Sequence, residues 1–177
     1  MKMLVVAVLS ALTVAPVAYA QAVANPVVSS AKEIYDRQSK YIIAAAEEMP
    51  AEKYSFKPTA GQWTFAKAIA HLVDANTYVC GVLTDNPPAT RPAPTKDTDS
   101  KDVLVGELKT SFQVCDKAFS TLTDAKLGDT ITFFGGKPAP KARALMEVVA
   151  DLEDHYSQLA SYLRLSDLVP PSAQPKK

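Results

Sequence analysis

The sequence predicts an all-α fold, a four-helix bundle with a long crossover connection between helices two and three. Four segments carry apolar residues at spacings of three and four, which is the periodicity of an amphipathic helix. Each segment is about 20 residues long, so each helix would extend over about 30 Å. The stretches between them are rich in proline, glycine and polar residues, which do not propagate a helix. Helices of matched length are expected to share a single core.

Residues 1–20 have the pattern of a secretory signal peptide. Lys2 supplies the positive charge, residues 3–14 are a short apolar run, and residues 18–20, Ala-Tyr-Ala, form a small-x-small cleavage site. The apolar run is too short to span a membrane, and Pro16 interrupts it. We therefore expect cleavage after Ala20 and a secreted or periplasmic protein with no membrane anchor. The alternative is an ordinary N-terminal helix of the domain.

The first helix is predicted at Ser30–Met49. Ser30 and Glu33 have the S-x-x-E spacing of a capping box, which would satisfy free amides at a helix start. Ile34, Tyr41 and Ala45 lie on one face, and Pro50 ends the helix.

The second helix is predicted to begin after Thr64, the expected N-cap. Its inward stripe recurs at spacings of three and four through Phe65, Ile69, Leu72, Asn76, Val79 and Leu83. His71 lies beside this stripe, with Ala68 and Ala75 one turn away on either side. These small neighbours would leave room around the imidazole ring.

The segment after helix two, residues 85–99, contains several prolines and polar residues and is predicted to run along the outside of the bundle. The third helix is expected at Lys101–Leu122, with a stripe of Leu104, Leu108, Phe112, Cys115, Phe119 and Leu122. Residues 130–134 are predicted to form a short extended piece, followed by a turn at Gly135-Gly136.

The fourth helix is predicted at Lys141–Leu165. Its inward positions are Leu145, Val148, Leu152, His155, Leu159 and Tyr162, and Asp151 lies on the same side one turn before His155. Pro170 and Pro171 then end the domain. We therefore assign residues 21–170 to one bundle domain and residues 171–177 to a disordered C-terminal tail.

The charge balance excludes some classes of partner. The chain has 19 basic and 19 acidic residues, and no run of lysine or arginine precedes the Lys176-Lys177 end. This argues against a nucleic-acid partner and gives no reason to expect a membrane surface once the signal peptide is removed. The expected partner is a small-molecule substrate, and a homodimer remains open.

The two cysteines, Cys80 and Cys115, are predicted to form a disulfide. An even number of cysteines in a secreted chain favours a bridge, which here would join the end of helix two to the middle of helix three. The alternative is a pair of buried free thiols.

Three ionisable residues fall on inward faces: His71 on helix two, and Asp151 and His155 on helix four. Buried imidazole and carboxylate groups are unfavourable unless they are paired or bound to a metal. Residues at i and i+4 point to one place, and a facing histidine would complete a three-ligand set with positions left for water or substrate. By residue chemistry alone the signal for a metal site is weak. A simple Asp151–His155 hydrogen bond in the core, with His71 unrelated and partly exposed, is then the favoured explanation.

Two blocks of the sequence carry a resemblance to a known family. They are MPAEKYSFKPTAGQWTFAKAIAHLVDANTYVCG and GGKPAPKARALMEVVADLEDHYSQLASYLRLSDLVPPS. In both, and in their order, the chain resembles the DinB/YfiT-like family of small four-helix metalloenzymes. Family members take one metal ligand from a histidine on helix two and two from an H-x-x-x-H pair on the last helix. The resemblance therefore implies a metal site at His71, Asp151 and His155, with an aspartate in place of the first histidine of the pair.

The resemblance implies a bound divalent metal, either zinc, nickel, manganese or iron. It also implies an enzyme in which the metal activates water or a thiol as the nucleophile. Secretion favours water, since the usual thiol cofactors are cytosolic. A carboxylate at Asp151 would favour a harder metal or weaken binding. The alternatives are a non-catalytic metal- or ligand-binding bundle and a structural bundle with a decayed metal site.

Overall fold

A computed structural model describes residues 24–86 and 93–175. It contains four long helices, α1 (Pro26–Glu48), α2 (Phe65–Leu83), α3 (Lys101–Thr121) and α4 (Lys141–Arg164). A small antiparallel hairpin, β1 (Thr130–Phe133) and β2 (Lys137–Pro140), lies between α3 and α4 in the chain. The predicted four-helix bundle is confirmed, and the hairpin includes the predicted extended piece. The predicted signal peptide lies outside the described residues.

The helices form an up-down-down-up bundle in which α2 packs against α3 and α4, and α1 packs against α4 and α3. Helices α2 and α3 are parallel, because Asn76 contacts Ser111 and, one turn later, Cys80 contacts Cys115. Two successive parallel helices require the chain to return along the length of the bundle between them. The predicted crossover connection between helices two and three is therefore confirmed.

The start of α1 differs from the sequence prediction. The helix begins at Pro26, and Ser30 lies inside it, where its hydroxyl donates to the Pro26 carbonyl over 2.8 Å. The predicted capping box is therefore wrong. The cap comes instead from Asp124, whose carboxylate accepts hydrogen bonds from the amides of Val27 (3.0 Å) and Val28 (2.9 Å). A partner so distant in sequence leaves no local signal.

The start of α2 follows the prediction. Thr64 is the N-cap, and its hydroxyl oxygen accepts a hydrogen bond from the Lys67 amide over 3.1 Å. The helix ends at Leu83, just before the proline-rich segment 85–99 that was predicted not to continue it. Both ends depend on neighbouring residues, which is why the sequence predicts them well.

The segment after α4 is more ordered than predicted. Residues Pro171–Ala173 form a 3-10 turn, and the Ser172 amide donates to the Tyr156 hydroxyl over 2.8 Å. Gln174 donates to a Glu48 carboxylate oxygen over 3.0 Å. Residues 171–175 are thus tied to α4 and α1, so the predicted disordered tail is wrong for this part. The local composition is typical of a disordered tail, and the contacts that order this segment come from residues distant in the chain.

The core lies between the four helices and includes fully buried aromatic and aliphatic side chains, among them Tyr35, Ile42, Phe65, Leu72, Leu108 and Leu152. Cys80 and Cys115 lie in this core and form a disulfide between α2 and α3. Within residues 24–86 and 93–175, the helices lack a stretch both long and apolar enough to cross a bilayer.

Candidate metal centre

The candidate site lies between α2 and α4, which run antiparallel. His71 lies near the middle of α2, and Asp151 and His155 lie one turn apart on α4. The direction of packing follows from the contacts, since His71 meets Asp151 while Phe65, earlier on α2, meets Tyr162, later on α4. The three residues predicted as ligands are therefore brought together by helix packing.

The donor atoms of the three side chains converge on one point. Asp151 Oδ1 lies 3.4 Å from His71 Nε2 and 3.4 Å from His155 Nε2. One donor atom from each residue can be chosen so that all three lie within 4.8 Å of one another. A tetrahedral ion with bonds of about 2.0–2.2 Å separates neighbouring ligand atoms by about 3.3–3.6 Å. Two imidazoles and one carboxylate at this spacing fit a first-row divalent metal.

The site is closed on one side and open on the other. The side chain of His155 is only 9% exposed, that of Asp151 21%, and that of His71 35%. The α4 pair is therefore held in the core, whereas solvent reaches the cluster from the His71 side. Such a gradient allows a small molecule to approach while the ligands stay fixed.

The electrostatics of the cluster keep Asp151 ionised. Burial alone would raise the pKa of Asp151, but hydrogen bonds and charge from His155 and His71 outweigh it and lower this pKa to about 2. Burial likewise opposes the charged form of His155, yet the hydrogen bond and charge of Asp151 raise its pKa above the ordinary value. Asp151 therefore presents a carboxylate, not a carboxylic acid, at any physiological pH.

Further side chains orient the cluster. His155 Nδ1 lies 3.3 Å from Gln158 Oε1, so the amide can hold Nδ1 as the donor and leave Nε2 facing Asp151. Trp63 stacks against His155, with ring centroids 5.9 Å apart and planes inclined by 9°. Its centroid also lies 5.1 Å from that of His71. The Tyr162 hydroxyl donates to the Trp63 carbonyl over 2.8 Å, which anchors the indole over the site.

Sequence reasoning missed the position of Trp63. A single tryptophan before an N-cap carries no signal for contact with two histidines. Asp74, one turn after His71, is not its orienting partner. Its carboxylate accepts a hydrogen bond from the Thr95 amide over 2.9 Å and so secures the connection between α2 and α3.

The fold and the site together define the class of protein. It is a small four-helix bundle in which two histidines and an aspartate, all side chains that can bind a metal, meet between antiparallel helices. The chain belongs to the DinB superfamily, whose family model matches residues 34–159. This range contains His71, Asp151 and His155. The curated proteins include no match to the sequence.

Solved structures show the same fold at low sequence identity. A DinB-like protein from Bacillus cereus ATCC 10987 is 20% identical with a TM-score of 0.65, covering 81% of this chain and 95% of that one. A proposed DinB family member from Exiguobacterium sibiricum 255-15 is 18% identical with a TM-score of 0.58, covering 79% and 91%. The mycothiol-dependent maleylpyruvate isomerase is 12% identical with a TM-score of 0.61, and the match spans 75% of this chain but 60% of the isomerase.

Proposed function

We propose that the protein is a divalent-metal-dependent enzyme acting on a small molecule, with the metal held by His71, Asp151 and His155. The observation that carries this proposal is the convergence of three metal-type donors, with one carboxylate oxygen 3.4 Å from both imidazole nitrogens. The low pKa of Asp151 supports it, because a ligand carboxylate has to be ionised to bind. Zinc, nickel, manganese and iron are the candidate ions.

The residues around the cluster have defined roles in this proposal. When bound, a divalent ion supplies Lewis acidity that lowers the pKa of a water or thiol at its open position. Gln158 holds the His155 ring in the tautomer that directs Nε2 inward. Trp63 covers one side of the cluster and offers an aromatic face to an apolar or planar substrate group. The exposed edge of His71 marks the side from which substrate enters.

The aspartate at position 151 affects which metal is preferred. The resemblance implies a histidine there, and replacing imidazole by carboxylate adds one negative charge and a harder oxygen donor. We infer that the affinity of the site for manganese and iron rises relative to its affinity for zinc, since oxygen ligands suit harder ions. Comparing the affinities of the parent protein and Asp151→His for zinc and manganese tests this inference.

We propose that water, not a thiol cofactor, is activated. The similarity in fold to a mycothiol-dependent isomerase keeps the thiol version as an alternative. The signal-peptide pattern of residues 1–20 and the Cys80–Cys115 disulfide support export to an oxidising compartment, where cytosolic thiol cofactors are scarce. On this account the mature protein is secreted or periplasmic and has neither a nucleic-acid partner nor a membrane partner.

One observation favours a second candidate, a bundle with a decayed site. The negative charge of the Asp151 carboxylate can be compensated by His71 and His155 alone, without an ion, through the hydrogen bonds described above. Metal analysis of the mature protein, purified without chelator, separates the two. The proposal predicts close to one equivalent of a divalent metal in the parent and none in His71→Ala, with Asp74→Asn as the matched control that keeps the metal. Equal metal content in all three would contradict it.

Turnover then separates an enzyme from a non-catalytic metal-binding protein. The measurement is hydrolysis of a panel of small ester, amide and phosphate substrates by the metal-loaded parent, with His71→Ala as the control. Activity that depends on added metal and disappears in the variant supports the proposal. Full metal occupancy with no turnover across the panel favours the non-catalytic alternative.

A further inference from the structure

A cavity lies between α2 and α3, away from the candidate metal centre. Its volume is about 580 Å³, within the range of pockets that hold metabolite-sized ligands. Apolar side chains of Val73, Val103 and Val114 form part of its wall, and residues of the connection, including Thr95, close one side. None of His71, Asp151 and His155 lines it. The cavity is therefore separate from the metal-type donor set.

Three of the four hydroxyl groups in the wall, those of Thr77, Thr110 and Ser111, already donate their hydrogens to backbone carbonyls. Thr77 donates to the Val73 carbonyl over 2.7 Å, Thr110 to the Gly106 carbonyl over 3.0 Å, and Ser111 to the Leu108 carbonyl over 2.8 Å. Each of these three hydroxyls keeps lone pairs but has no free hydrogen to offer a ligand. Apart from Thr95, the polar side chains of the wall therefore accept hydrogen bonds and do not donate them.

The charge of the wall has one sign. Asp74, Asp102 and Glu107 line the cavity, and no basic side chain among the described residues does. The nearby lysines of α3 are engaged with α1. Lys101 donates to the Glu47 and Met49 carbonyls, and Lys109 pairs with the Glu47 carboxylate at 2.6 Å.

Glu107 carries an unmet hydrogen-bonding requirement. Its Oε2 atom is buried and has no hydrogen-bond partner among residues 24–86 and 93–175. A buried carboxylate oxygen without a donor is unfavourable. Because Glu107 lines the cavity, a rotation of its side chain that brings this oxygen to the wall would let a charged N–H group of a ligand relieve this.

We propose that this cavity is a binding site for a small organic cation, a primary amine attached to a compact apolar or aromatic body. The ammonium group would donate to the carboxylate of Glu107 and its acidic neighbours, and the body would lie against the valines. Carboxylates and phosphates are excluded by charge, because the wall offers acceptors and no cation. Neutral analogues of the same shape fill the cavity but gain no charge-assisted hydrogen bond.

The test uses three probes of similar shape that differ in charge: 2-phenylethylamine, 2-phenylethanol and 3-phenylpropionate. Binding to the mature protein is measured by calorimetry at neutral pH and low salt, where the amine is protonated. The amine should bind at least about tenfold more tightly than the alcohol. The propionate should not bind. Equal affinities for the three probes, or no binding of the amine, would overturn the proposal.

Two matched variants locate the binding. A Cβ at Gly106, which lines the cavity, would meet no other atom within 4 Å, so a side chain can be added there without a clash. Gly106→Leu should fill the cavity and reduce amine affinity by more than about tenfold, whereas Gly106→Ala should keep it within about twofold. Both residues are better helix formers than glycine, so both variants should fold. Unchanged binding in Gly106→Leu would place the amine elsewhere.

Charge variants test the chemistry of recognition. Glu107→Gln should weaken amine binding about tenfold and leave the alcohol unchanged, while Glu33→Gln on α1 makes the same charge change outside the cavity and should have no effect. His71→Ala should bind the amine as the parent does, which separates this proposal from the metal site. Equal losses in the two glutamate variants would contradict the proposal.

Discussion

Replacing Asp151 by Asn in the metal-free protein should remove a large and pH-dependent part of its stability. The interactions that lower the pKa of Asp151 from 3.8 to about 2 are present only in the folded state. A tenfold change in proton affinity corresponds to about 1.4 kcal/mol, so these interactions contribute about 2–3 kcal/mol where both partners are charged. The side chain is only 21% exposed, so solvent screens this contribution little.

The pH window follows from the two pKa shifts. The contribution of Asp151 is fully present above about pH 4 and is lost as the pH falls towards 2, because the folded pKa is the lower one. The contribution of His155 is fully present below its unfolded pKa of about 6.5 and is lost as the pH rises through the raised folded pKa. The Asn substitution should therefore destabilise most between about pH 4 and pH 6.5.

The assay is equilibrium urea unfolding of protein stripped of metal with chelator, followed at several values between about pH 2 and pH 8. Asp151→Asn should lose about 2–3 kcal/mol near pH 5.5 and less at either extreme. The matched control is Glu153→Gln on the same helix, whose exposed pair with Arg37 should contribute less than about 1 kcal/mol. A loss in Asp151→Asn that is small, or that does not vary with pH, would refute the coupling between this carboxylate and the histidines.

Three further predictions test the frame around the site. Replacing Cys80 and Cys115 together by Ala should lower the free energy of unfolding by about 4 kcal/mol, given the sequence separation of 35. Thiol titration of the denatured, unreduced parent protein should find no free thiol. Asp124→Ala should cost about 1–2 kcal/mol through loss of the α1 cap, whereas Ser30→Ala should change stability by less than about 0.5 kcal/mol; equal effects would contradict the observed cap. Fluorescence of Trp63, the one tryptophan, should be quenched when nickel is added, and unchanged emission at metal saturation would argue against a site beside it.

The sequence predicts those parts of the fold that depend on near neighbours. The helical period locates all four helices, and Thr64 is recognisable as a cap because the amide it bonds is three residues away. The start of α1 was missed because its cap, Asp124, lies almost 100 residues away in the chain. The order of residues 171–175 was missed for the same reason, since Tyr156 and Glu48 hold them across the fold.

The candidate site also has a part that the sequence predicts and a part that it does not. Asp151 and His155 share one helix face, so their proximity is predictable from spacing alone. That His71 joins them depends on which helices pack together, and only the family resemblance indicated it from the sequence. The contact of Trp63 with both histidines is set by a loop held through the Tyr162 hydroxyl, which no spacing rule describes.

Thermal melting of the metal-stripped protein, with and without zinc, manganese or nickel, tests the central claim most directly. An ion that binds only the folded state raises the melting temperature by mass action, and the shift should grow as the pH rises through the histidine range because the ligands must be deprotonated. The account predicts a shift in the parent, its loss in His155→Ala, and retention or tightening of zinc binding in Asp151→His. No shift for any ion in the parent, together with a clear shift in Asp151→His, would mean that Asp151 has disabled the site.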